Sequence, residues 1–368
     1  MADPIRVLQV YPQMNNAGTE RVILNLYENI DRNCVQFDFL VEKKGELDEK
    51  IRNMGGKIFY LYNEKRKTYY NALTGFFADH PEYSIVHTHT HARMGIVLKA
   101  AKKANVACRI AHSHNSRNDL SRIAGFIKGI SSIPIERNAN FFFACSQNAA
   151  KWLFPYRVKE CTILFNGIDL KRYLYNSEIR KKKRKALNIQ DEEILFIHVG
   201  RFAKQKNHEF LINVMSEYNK KSKSWKLLLV GTGPLQDGVK KQVSSLGLQK
   251  KIMFLGSRND VDELMSASDC FIFPSRHEGL GIVVIEAQAS SLPCIVSDAV
   301  PPEAELYVGL LTRLNLKDDY VTWADKVDLA VRNQIDRELF RDMILESKYN
   351  IETIGKEMQS FYLSHAER

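Results

Sequence analysis

The sequence predicts an α/β protein with two doubly wound domains, each a parallel β-sheet covered by helices on both faces, that face a common cleft. Three observations lead to this fold class. Short apolar runs alternate with helical stretches along the chain, which is typical of parallel sheets. The alternation is interrupted once, by a basic run at 180–185, and then restarts. The length of 368 residues also exceeds the size at which a single core usually stops growing.

The first half of the chain opens with a strand and a helix. Ile5–Val10 is a short apolar run that predicts a strand, and Gly18–Leu26 follows a polar loop and predicts a helix. More apolar runs of strand length follow, with helical stretches between most of them. They are Phe37–Val41, Ile58–Leu61, Ile85–His87, Arg109–Ala111, Phe141–Cys145 and Thr162–Leu164.

The second half repeats this rhythm after the basic run. Its predicted strands are Ile194–Val199, Lys226–Val230, Ile252–Leu255, Cys270–Phe273 and Cys294–Val296. We therefore expect a first domain at 1–178 and a second domain at 179–350. In open parallel sheets, ligands bind beyond the carboxyl ends of the strands, so the polar residues after the strands are the candidates for function.

A stretch with two glutamates around a glycine turn follows the strand Cys270–Phe273. The β-branched residues of Gly281–Ile285 favour a strand by propensity, but we predict a helix there. A strand, a glycine turn and a helix start together aim free N–H groups at one point, which suits a phosphate. Gly279 and Gly281 would let the backbone approach it, and Glu278 and Glu286 would accept hydrogen bonds from hydroxyls on either side. This pattern indicates a sugar-nucleotide site.

Cations follow the first strand of the second domain. Arg201 and Lys206 lie in one short loop after Gly200, and two such side chains suit a diphosphate because Arg grips two oxygens and Lys acts as a point charge. Taken alone, they would more often be surface charges. The neighbouring anion site favours the functional interpretation.

Glycines follow two other strands. Gly231 and Gly233 resemble part of a dinucleotide fingerprint, but Pro234 and the lack of a third glycine make the match weak, so we expect no nicotinamide cofactor. Gly18 begins the first helix, where it fits an anion contact and a simple turn equally well.

Histidines cluster at the ends of two predicted strands of the first domain. They are His87, His89, His91, His112 and His114. Alternate spacing can gather ring nitrogens on one face, so a zinc site is one interpretation. No Cys, Asp or Glu accompanies them at ligand spacing, so polar contacts to a sugar are favoured over metal. For His87 and His91, a histidine satisfied by backbone at a strand end is an equal alternative.

The charge and the hydropathy pattern bear on location and partners. The formal net charge is +10, which attracts anions without choosing among nucleotides, lipids and nucleic acids. The basic run at 180–185 lacks the stacking aromatics of a single-strand groove, so we expect a solvated helix there and no nucleic-acid partner. No apolar run of membrane-spanning length and no signal-peptide pattern is present, so we expect a cytoplasmic protein.

One segment of the first domain could contact a membrane. Residues 122–130 place Ile123, Phe126, Ile127 and Ile130 on one helical face beside basic residues. The alternative, which such faces more often show, is packing on their own domain. Peripheral contact with the cytoplasmic face of a membrane is thus a secondary expectation.

Together these motifs resemble a retaining glycosyltransferase of the GT-B fold, in the branch of glycosyltransferase family 4 that builds capsular and exopolysaccharides. The resemblance covers nearly the whole chain. The motifs that carry it are Gly18, His112–Asn115, Ala144–Ser146, Asn166–Asp169, Val199–Arg201 with Lys206, Gly231–Pro234, Glu278–Gly281 and Glu286. Ala17 and Ser291 depart from the family, which usually has glycine at both positions.

The resemblance implies how the donor is held. Glu286 would bind the ribose and Glu278 the donor sugar, while the amides of Gly281, Ile282 and Val283 would bind the diphosphate. Arg201 and Lys206 would neutralise that diphosphate, and Ser257 with Arg258 would lie near the base. The remaining donor-binding residues would be Gly18, His112, Asn166, Gly200, Gly231, Gly233, Gly279 and Leu280.

The resemblance also implies the catalytic set and the mechanism. His114 aligns best with the family's active-site histidine and would act with Glu278, Arg201 and Lys206. A hexose would pass with retention from a nucleotide sugar, by family habit a UDP-sugar, to a saccharide or lipid-linked saccharide, with no metal and no cofactor. The C-terminal helix, 351–368, would return to the first domain. Two alternatives stay open: a sugar-nucleotide epimerase on the same fold, and a nucleotide-binding module without activity.

Overall fold

The computed structural model describes residues 3–15, 18–61, 66–90, 93–114, 132–333 and 335–366. Contacts divide the chain into two compact units. The first unit comprises Met1–Ile168 together with Lys348–Arg368, and the second comprises Asp169–Ser347. The segment 122–130, for which membrane contact was considered, lies outside the described residues. Among the described residues, no helix combines the length and the apolar character needed to cross a bilayer.

The first unit contains a parallel sheet of seven strands. They are β1 (Ile5–Val10), β2 (Val35–Val41), β3 (Ile58–Tyr60), β4 (Ile85–Thr88), β5 (Cys108–Ser113), β6 (Phe141–Ala144) and β7 (Cys161–Ile163). The order across the sheet is β3-β2-β1-β4-β5-β6-β7, and every pair is parallel. The strand order therefore reverses between β1 and β4, which is where open α/β sheets bind ligands.

Helices cover this sheet on both faces, as the alternating pattern predicted. They include α1 (Gly18–Glu28), α2 (Asp48–Asn53), α3 (Arg66–Asp79), α4 (Met94–Lys103), α5 (Gln147–Leu153) and the C-terminal helix Ile351–His365. The C-terminal helix packs in the first unit, which confirms that prediction: it buries Ile354, Met358 and Tyr362 in the same core as Ile23 and Phe37. Its partners include α1, β1 and β2.

The second unit contains a parallel sheet of six strands. They are β8 (Ile194–Val199), β9 (Trp225–Val230), β10 (Ile252–Gly256), β11 (Cys270–Phe273), β12 (Cys294–Ser297) and β13 (Leu311–Leu314). The order is β10-β9-β8-β11-β12-β13, so the reversal lies between β8 and β11. The edge strand β13 was not predicted. It is short and carries Thr312 and Arg313 between its leucines, so it lacks the apolar run that marks the buried strands.

The helices of the second unit surround this sheet. They are α6 (Leu170–Tyr173), α7 (Ser177–Ala186), α8 (His208–Lys221), α9 (Gln236–Ser245), α10 (Val261–Ala267), α11 (Ile282–Ala289), α12 (Tyr320–Arg332) and α13 (Arg341–Leu345). The C-terminal helix is α14. The helix predicted after the glycine turn is confirmed as α11, despite its β-branched residues. Phe196, Trp225 and Trp323 are buried in the core between the sheet and its helices.

The boundary between the units differs from the prediction. It lies between Ile168 and Asp169 instead of after residue 178, and the chain returns to the first unit at Lys348. The reason is that α6 is bound to the second unit. The Tyr173 hydroxyl donates to Glu286, and the Ser290 hydroxyl donates to the backbone carbonyl of Tyr173.

The basic run at 180–185 is not the solvated helix face that we expected. On α7, Arg180 and Arg184 both bind the carboxylate of Asp269, at 2.6 and 3.2 Å. Lys183 lies 2.7 Å from an oxygen of Asp260. Half of the run therefore docks α7 on its own unit, because long basic side chains can pair with carboxylates beneath them while their stems pack.

Candidate functional site

The candidate donor site lies at the reversal point of the second sheet, where loops follow β8 and β11. The two loops are joined by hydrogen bonds to backbone carbonyls. The amide of Arg276 donates to the carbonyl of Gln205 at 2.7 Å, and the side-chain amide of Gln205 donates to the carbonyl of His277 at 2.9 Å. These bonds fix the geometry of the polar residues that both loops carry.

An ion pair joins the two loops at their centre. The ammonium of Lys206 lies 2.7 Å from Oε1 of Glu278 and 4.7 Å from the centre of the Phe273 ring. The buried hydroxyl of Ser275 donates to the same carboxylate oxygen. The side chains of Lys206 and Glu278 are only 17% and 7% exposed, so water screens their attraction weakly. The sequence-predicted partners are thus brought together, with one cation and one acceptor at the same point.

Three glycines explain how the loops after β8 and β9 lie so close. A Cβ on Gly231 would lie 2.2 Å from the carbonyl oxygen of Gly200, and Gly231 has a φ of 130° that side chains rarely adopt. A Cβ on Gly233 would lie 2.5 Å from the carbonyl oxygen of Phe202. A Cβ on Gly200 would approach the stem of Lys206 to 3.1 Å. These predicted donor-binding glycines therefore allow the close packing that positions the loop with Arg201 and Lys206.

The glycine turn before α11 leaves backbone donors available. Gly281 occupies the left-handed region, with φ 77° and ψ 51°, and caps the helix that starts at Ile282. The first amides of a helix have no acceptor within it, and those of Gly281, Ile282 and Val283 donate to no acceptor elsewhere among the described residues. Gly279 is exposed with open space at its Cβ position. The turn thus leaves three backbone N–H groups available to an anion.

The second glutamate lies on α11 and is held by α6. The Tyr173 hydroxyl donates to Oε1 of Glu286 at 2.9 Å, and Oε2 has no partner among the described residues. Burial raises the pKa of Glu286, while the hydrogen bond from Tyr173 and the charge of Arg172 oppose that rise. Arg172 is itself fixed by Asp262 at 2.9 Å. Glu286 therefore presents one free carboxylate oxygen that can accept a hydroxyl.

Of the remaining predicted residues of the second unit, Leu280 is buried, whereas Arg201, Ser257 and Arg258 are exposed. Arg201 forms no ion pair with the described residues, which leaves its guanidinium available to an anion. Ser257 follows β10 and is exposed. Arg258 is committed to Asp260, with its Nε and Nη2 at 2.7 and 2.6 Å from the two oxygens. If Arg258 contacts the nucleotide base, it would do so through the flat face of its guanidinium, because the edge with Nε and Nη2 is bound to Asp260.

The first unit gathers the predicted histidines into one buried cluster. The rings of His112 and His114 lie 4.0 Å apart between centroids, and His87 and His89 pack against them. Nitrogens of His87, His89 and His112 lie within 4.8 Å of one another, a spacing that a metal could use. Burial lowers the pKa of both His87 and His112, so these rings are neutral. His91 lies outside the described residues.

Two further predicted residues of the first unit differ in their surroundings. Gly18 is exposed at the start of α1 and has open space around it, and Ala17, a departure from the family, lies outside the described residues. Asn166 is buried, and its side-chain oxygen has no hydrogen-bond partner among the described residues. A buried oxygen without a hydrogen bond costs free energy, so Asn166 is a residue that can still accept one.

Several residues that shape these sites were not predicted from the sequence. Gln9 is a buried polar residue within the apolar strand β1, and that pattern could have revealed it. Ser275 follows Pro274 in the segment between β11 and Glu278. Tyr173 and Tyr362 carry no local signal, because each reaches its partner only through the packing of a distant helix.

Two protein-family models match the chain. Residues 16–172 match the model described as Glycosyltransferase Family 4, and residues 179–345 match the model described as Glycosyl transferases group 1. The first match ends four residues beyond Ile168, the last residue of the first unit before the boundary, and the two matches together span most of the chain.

Curated relatives extend over similar lengths. A Bacillus subtilis protein named as the glycosyltransferase EpsF is 32% identical over 361 residues, covering 94% of this chain and 93% of that protein. The capsular polysaccharide biosynthesis glycosyltransferase CapH of Staphylococcus aureus is 28% identical, covering 98% and 99%. An Escherichia coli enzyme that acts on a diphosphoundecaprenol-linked sugar, named as an alpha-1,3-galactosyltransferase with UDP-Gal, is 28% identical over 65% of each chain.

A solved structure shares the fold. The structure of Anabaena HepE in complex with UDP has a TM-score of 0.81 with this chain, at 18% sequence identity, and covers 98% of this chain and 100% of that one. At this identity the similarity establishes the shared fold.

Proposed function

Since the chain belongs to glycosyltransferase family 4 and has the GT-B fold, we propose that it transfers a hexose from a nucleoside diphosphate sugar with retention of configuration. The family membership makes it a glycosyltransferase of polysaccharide or glycan synthesis. We propose UDP as the nucleotide and a saccharide or lipid-linked saccharide as the acceptor. HepE was solved with UDP, and the related E. coli enzyme is named with UDP-Gal and a lipid-linked acceptor, which supports both choices.

The contact that carries this proposal is the pair of Lys206 and Glu278 at the reversal point of the second sheet. A diphosphate beside them would accept hydrogen bonds from the ammonium of Lys206. This ammonium has three N–H donors and makes one hydrogen bond to Glu278. The amides at the start of α11 would bind the same anion, and Arg201 would contact it from the exposed loop. Glu278 would accept a hydroxyl of the sugar that the diphosphate carries.

Glu286 would hold the other end of the nucleotide. Its free Oε2 can accept a ribose hydroxyl, while Tyr173 holds Oε1 and fixes the rotamer. Glu286 lies about one helical turn after the start of α11, which supports a ribose bound next to the diphosphate. The two glutamates thus accept hydroxyls on opposite sides of one anion site.

In the proposed reaction, the bond between the anomeric carbon and the diphosphate oxygen breaks while the acceptor hydroxyl attacks from the same face. The electron pair leaves with the nucleoside diphosphate, and the acceptor proton passes to the leaving phosphate. Lys206, Arg201 and the helix amides stabilise the charge that develops on this phosphate, which removes the need for a metal. Preorganised donors of this kind are usually the largest catalytic term, and each is worth about a hundredfold or more in rate.

The test measures release of nucleoside diphosphate from UDP-sugars with saccharide and lipid-linked acceptors. We expect Lys206→Ala to lower kcat by about a hundredfold or more. Lys204→Ala is the matched control, because Lys204 is an exposed cation two residues away in the same loop. Equal rates for the parent protein and Lys206→Ala would overturn the site assignment.

The same assay separates the alternatives. A changed sugar nucleotide formed without any acceptor would identify an epimerase. Binding of UDP without turnover of any donor would identify a nucleotide-binding module. Transfer only when a lipid-linked acceptor is present would support the proposed acceptor class.

A further inference from the structure

The histidine cluster of the first unit is organised by two residues that lie outside it. The cluster comprises His87 in β4 and His89 just after it, and His112 in β5 and His114 just after it. All four are buried, with exposures of 0 to 8%. Two hydrogen-bonded branches run through them, one ending at Gln9 of β1 and the other at Tyr362 of α14.

The Gln9 branch fixes where His114 carries its proton. Oε1 of Gln9 lies 2.9 Å from Nε2 of His89, and an amide oxygen can only accept, so this nitrogen carries hydrogen. With a single hydrogen on the His89 ring, Nδ1 is therefore a lone pair. It lies 2.7 Å from Nε2 of His114, which must be the donor. His114 consequently keeps its lone pair on Nδ1.

The Tyr362 branch fixes His112 in the same manner. The buried hydroxyl of Tyr362 lies 2.7 Å from Nδ1 of His87, and a buried hydroxyl is expected to donate. His87 then carries its hydrogen on Nε2 and donates it to Nδ1 of His112, 3.1 Å away. Nε2 of His112 is left as an N–H group. It has no hydrogen-bond partner among the described residues, and His112 is 3% exposed.

The unmet N–H of His112 belongs to a ring that lines a small cavity. The cavity measures about 20 Å³ and is also lined by Gln9, His89 and His114, with apolar side chains of α1 and α14 around them. This volume holds about one water-sized group. One oxygen atom that can accept from His112 fits both its size and its polarity.

The distances favour hydrogen bonds over a metal in this cluster. Imidazole nitrogens around a tetrahedral zinc, each about 2.1 Å from it, lie about 3.4 Å apart. The observed pairs lie at 2.7 and 3.1 Å, which are N–H···N separations. The outer nitrogens are also engaged, since Gln9 and Tyr362 hold those of His89 and His87.

We propose that Gln9 and Tyr362 are positioning residues that set the protons of the histidine cluster, so that His112 offers an N–H donor and His114 carries its hydrogen on Nε2. The N–H of His112 suits the oxygen of a carbohydrate hydroxyl. This last step rests on the proposed function, which gives the protein a sugar substrate. The positions of the protons do not rest on it.

The test reads the protons directly from ¹⁵N spectra of histidine-labelled protein at neutral pH, without substrate. We expect all four histidines of the cluster to carry hydrogen on Nε2. In Gln9→Leu, Nε2 of His89 loses its acceptor, so the branch should reverse and His114 should carry its hydrogen on Nδ1. Gln9→Glu keeps an acceptor oxygen and should retain the original tautomer.

Kinetics with the same variants test the functional consequence. A histidine at a catalytic site acts only if the correct ring nitrogen carries the hydrogen. We therefore expect Gln9→Leu to lower kcat at least about tenfold. In Gln9→Glu, kcat should stay closer to that of the parent. In Tyr362→Phe, His112 should populate both tautomers. The parent spectrum decides the outcome on its own if either variant fails to fold.

Three results would overturn the proposal. They are a parent spectrum with hydrogen on Nδ1 of His112 or His114, a Gln9→Leu variant whose His114 tautomer is unchanged, and one bound zinc per chain that is lost in His87→Phe. A tautomer change without any loss in kcat would overturn the positioning role. Absence of sugar transfer by the parent protein would instead contradict the proposed function and leave the tautomer result standing.

Discussion

Lys206 and Glu278 neutralise each other in a place from which most water is excluded. Removing one partner of such a pair leaves a poorly solvated charge, so substitution affects stability as well as activity. The arrangement nevertheless suits an anion site. The ammonium is held in place by Glu278 and by the face of the Phe273 ring, so little side-chain freedom is lost when a phosphate arrives.

The contact between Tyr173 and Glu286 gives a prediction at the scale of one hydrogen bond. Tyr173→Phe removes a donor that lowers the pKa of Glu286, so that pKa should rise further above its ordinary value. Because the ionised form of Glu286 is the better acceptor, the acid limb of kcat/KM should shift to higher pH. We expect KM for the nucleotide sugar to rise severalfold at pH 6 and less at pH 8.

Tyr156→Phe is the control for that measurement, since Tyr156 is 68% exposed and lies in the other unit. Its pH profile should match that of the parent protein. Superimposable profiles for Tyr173→Phe and the parent would contradict a role for Glu286 in binding the nucleotide.

At the scale of elements, α11 is the part of the molecule that sequence reasoning described best. Residues 282–285 are all β-branched, and propensity favours a strand there. The glycine turn before them and the burial of Val284 and Ile285 against the sheet decide the outcome instead. Tertiary packing thus overrides local propensity, and the turn glycines are the sequence signal that reveals it.

The glycine at the start of α11 gives the second prediction. Gly281 has φ 77°, a conformation that costs a residue with a side chain about 1–2 kcal/mol. Gly281→Ala should therefore lower the free energy of unfolding by about 1 kcal/mol or more. If the turn relaxes to relieve this strain, the helix amides move and nucleotide affinity should fall by at least about tenfold in a calorimetric titration.

Gly238→Ala is the matched glycine control. Gly238 lies exposed within α9 with open space at its Cβ position, so alanine should stabilise the protein by about 0.5–1 kcal/mol through helix propensity. Its nucleotide affinity should equal that of the parent. An unchanged affinity in Gly281→Ala would argue against the amides of α11 as the diphosphate site.

Elements whose roles depend on distant partners were predicted less well. The basic run at 180–185 looks solvated in the sequence, yet Asp260 and Asp269 bind it from another part of the chain. The strand β13 is defined by pairing with β12 and carries little apolar signal of its own. The histidine cluster was visible as a pattern, but the residues that orient it, Gln9 and Tyr362, are joined to it only by the fold.

At the scale of the whole molecule, the two units are built alike. Each is a doubly wound parallel sheet with one reversal of strand order, and polar clusters lie at that reversal in both. The length, the alternation of elements and the break at the basic run were enough to predict this architecture. The boundary near Ile168 could not be placed from the sequence. The attachment of α6 depends on two distant side chains, Glu286 on α11 and Ser290 just after it.

Buried histidines in both units give a prediction for acid stability. Burial lowers the pKa of His87, His112 and His198, and lowers that of His208 to about 4. These histidines bind protons near pH 6.5 in the unfolded chain but not in the folded chain. The free energy of unfolding therefore keeps its full value with respect to them above pH 6.5, and it declines as pH falls below 6.5. Each such histidine contributes a slope of up to about 1.4 kcal/mol per pH unit.

Urea unfolding between pH 7.5 and pH 4.5 measures this slope. His208→Phe should give a shallower decline than the parent, because the phenyl ring can keep the stacking on Phe202 without binding a proton. Identical slopes in the two proteins would show that His208 is not held neutral by the fold. An equal free energy of unfolding at both ends of the range would contradict the prediction for all four histidines.

The central claim is that the second unit binds a nucleoside diphosphate sugar between the loops after β8 and β11 and the start of α11. A thermal-shift panel of UDP- and GDP-sugars tests it most directly, because a ligand that binds only the folded state raises Tm with the logarithm of its concentration. We predict a concentration-dependent rise with at least one UDP-sugar that is strongly reduced in Glu286→Gln and preserved in Lys204→Ala. A flat response of the parent protein to every nucleotide sugar in the panel would contradict it.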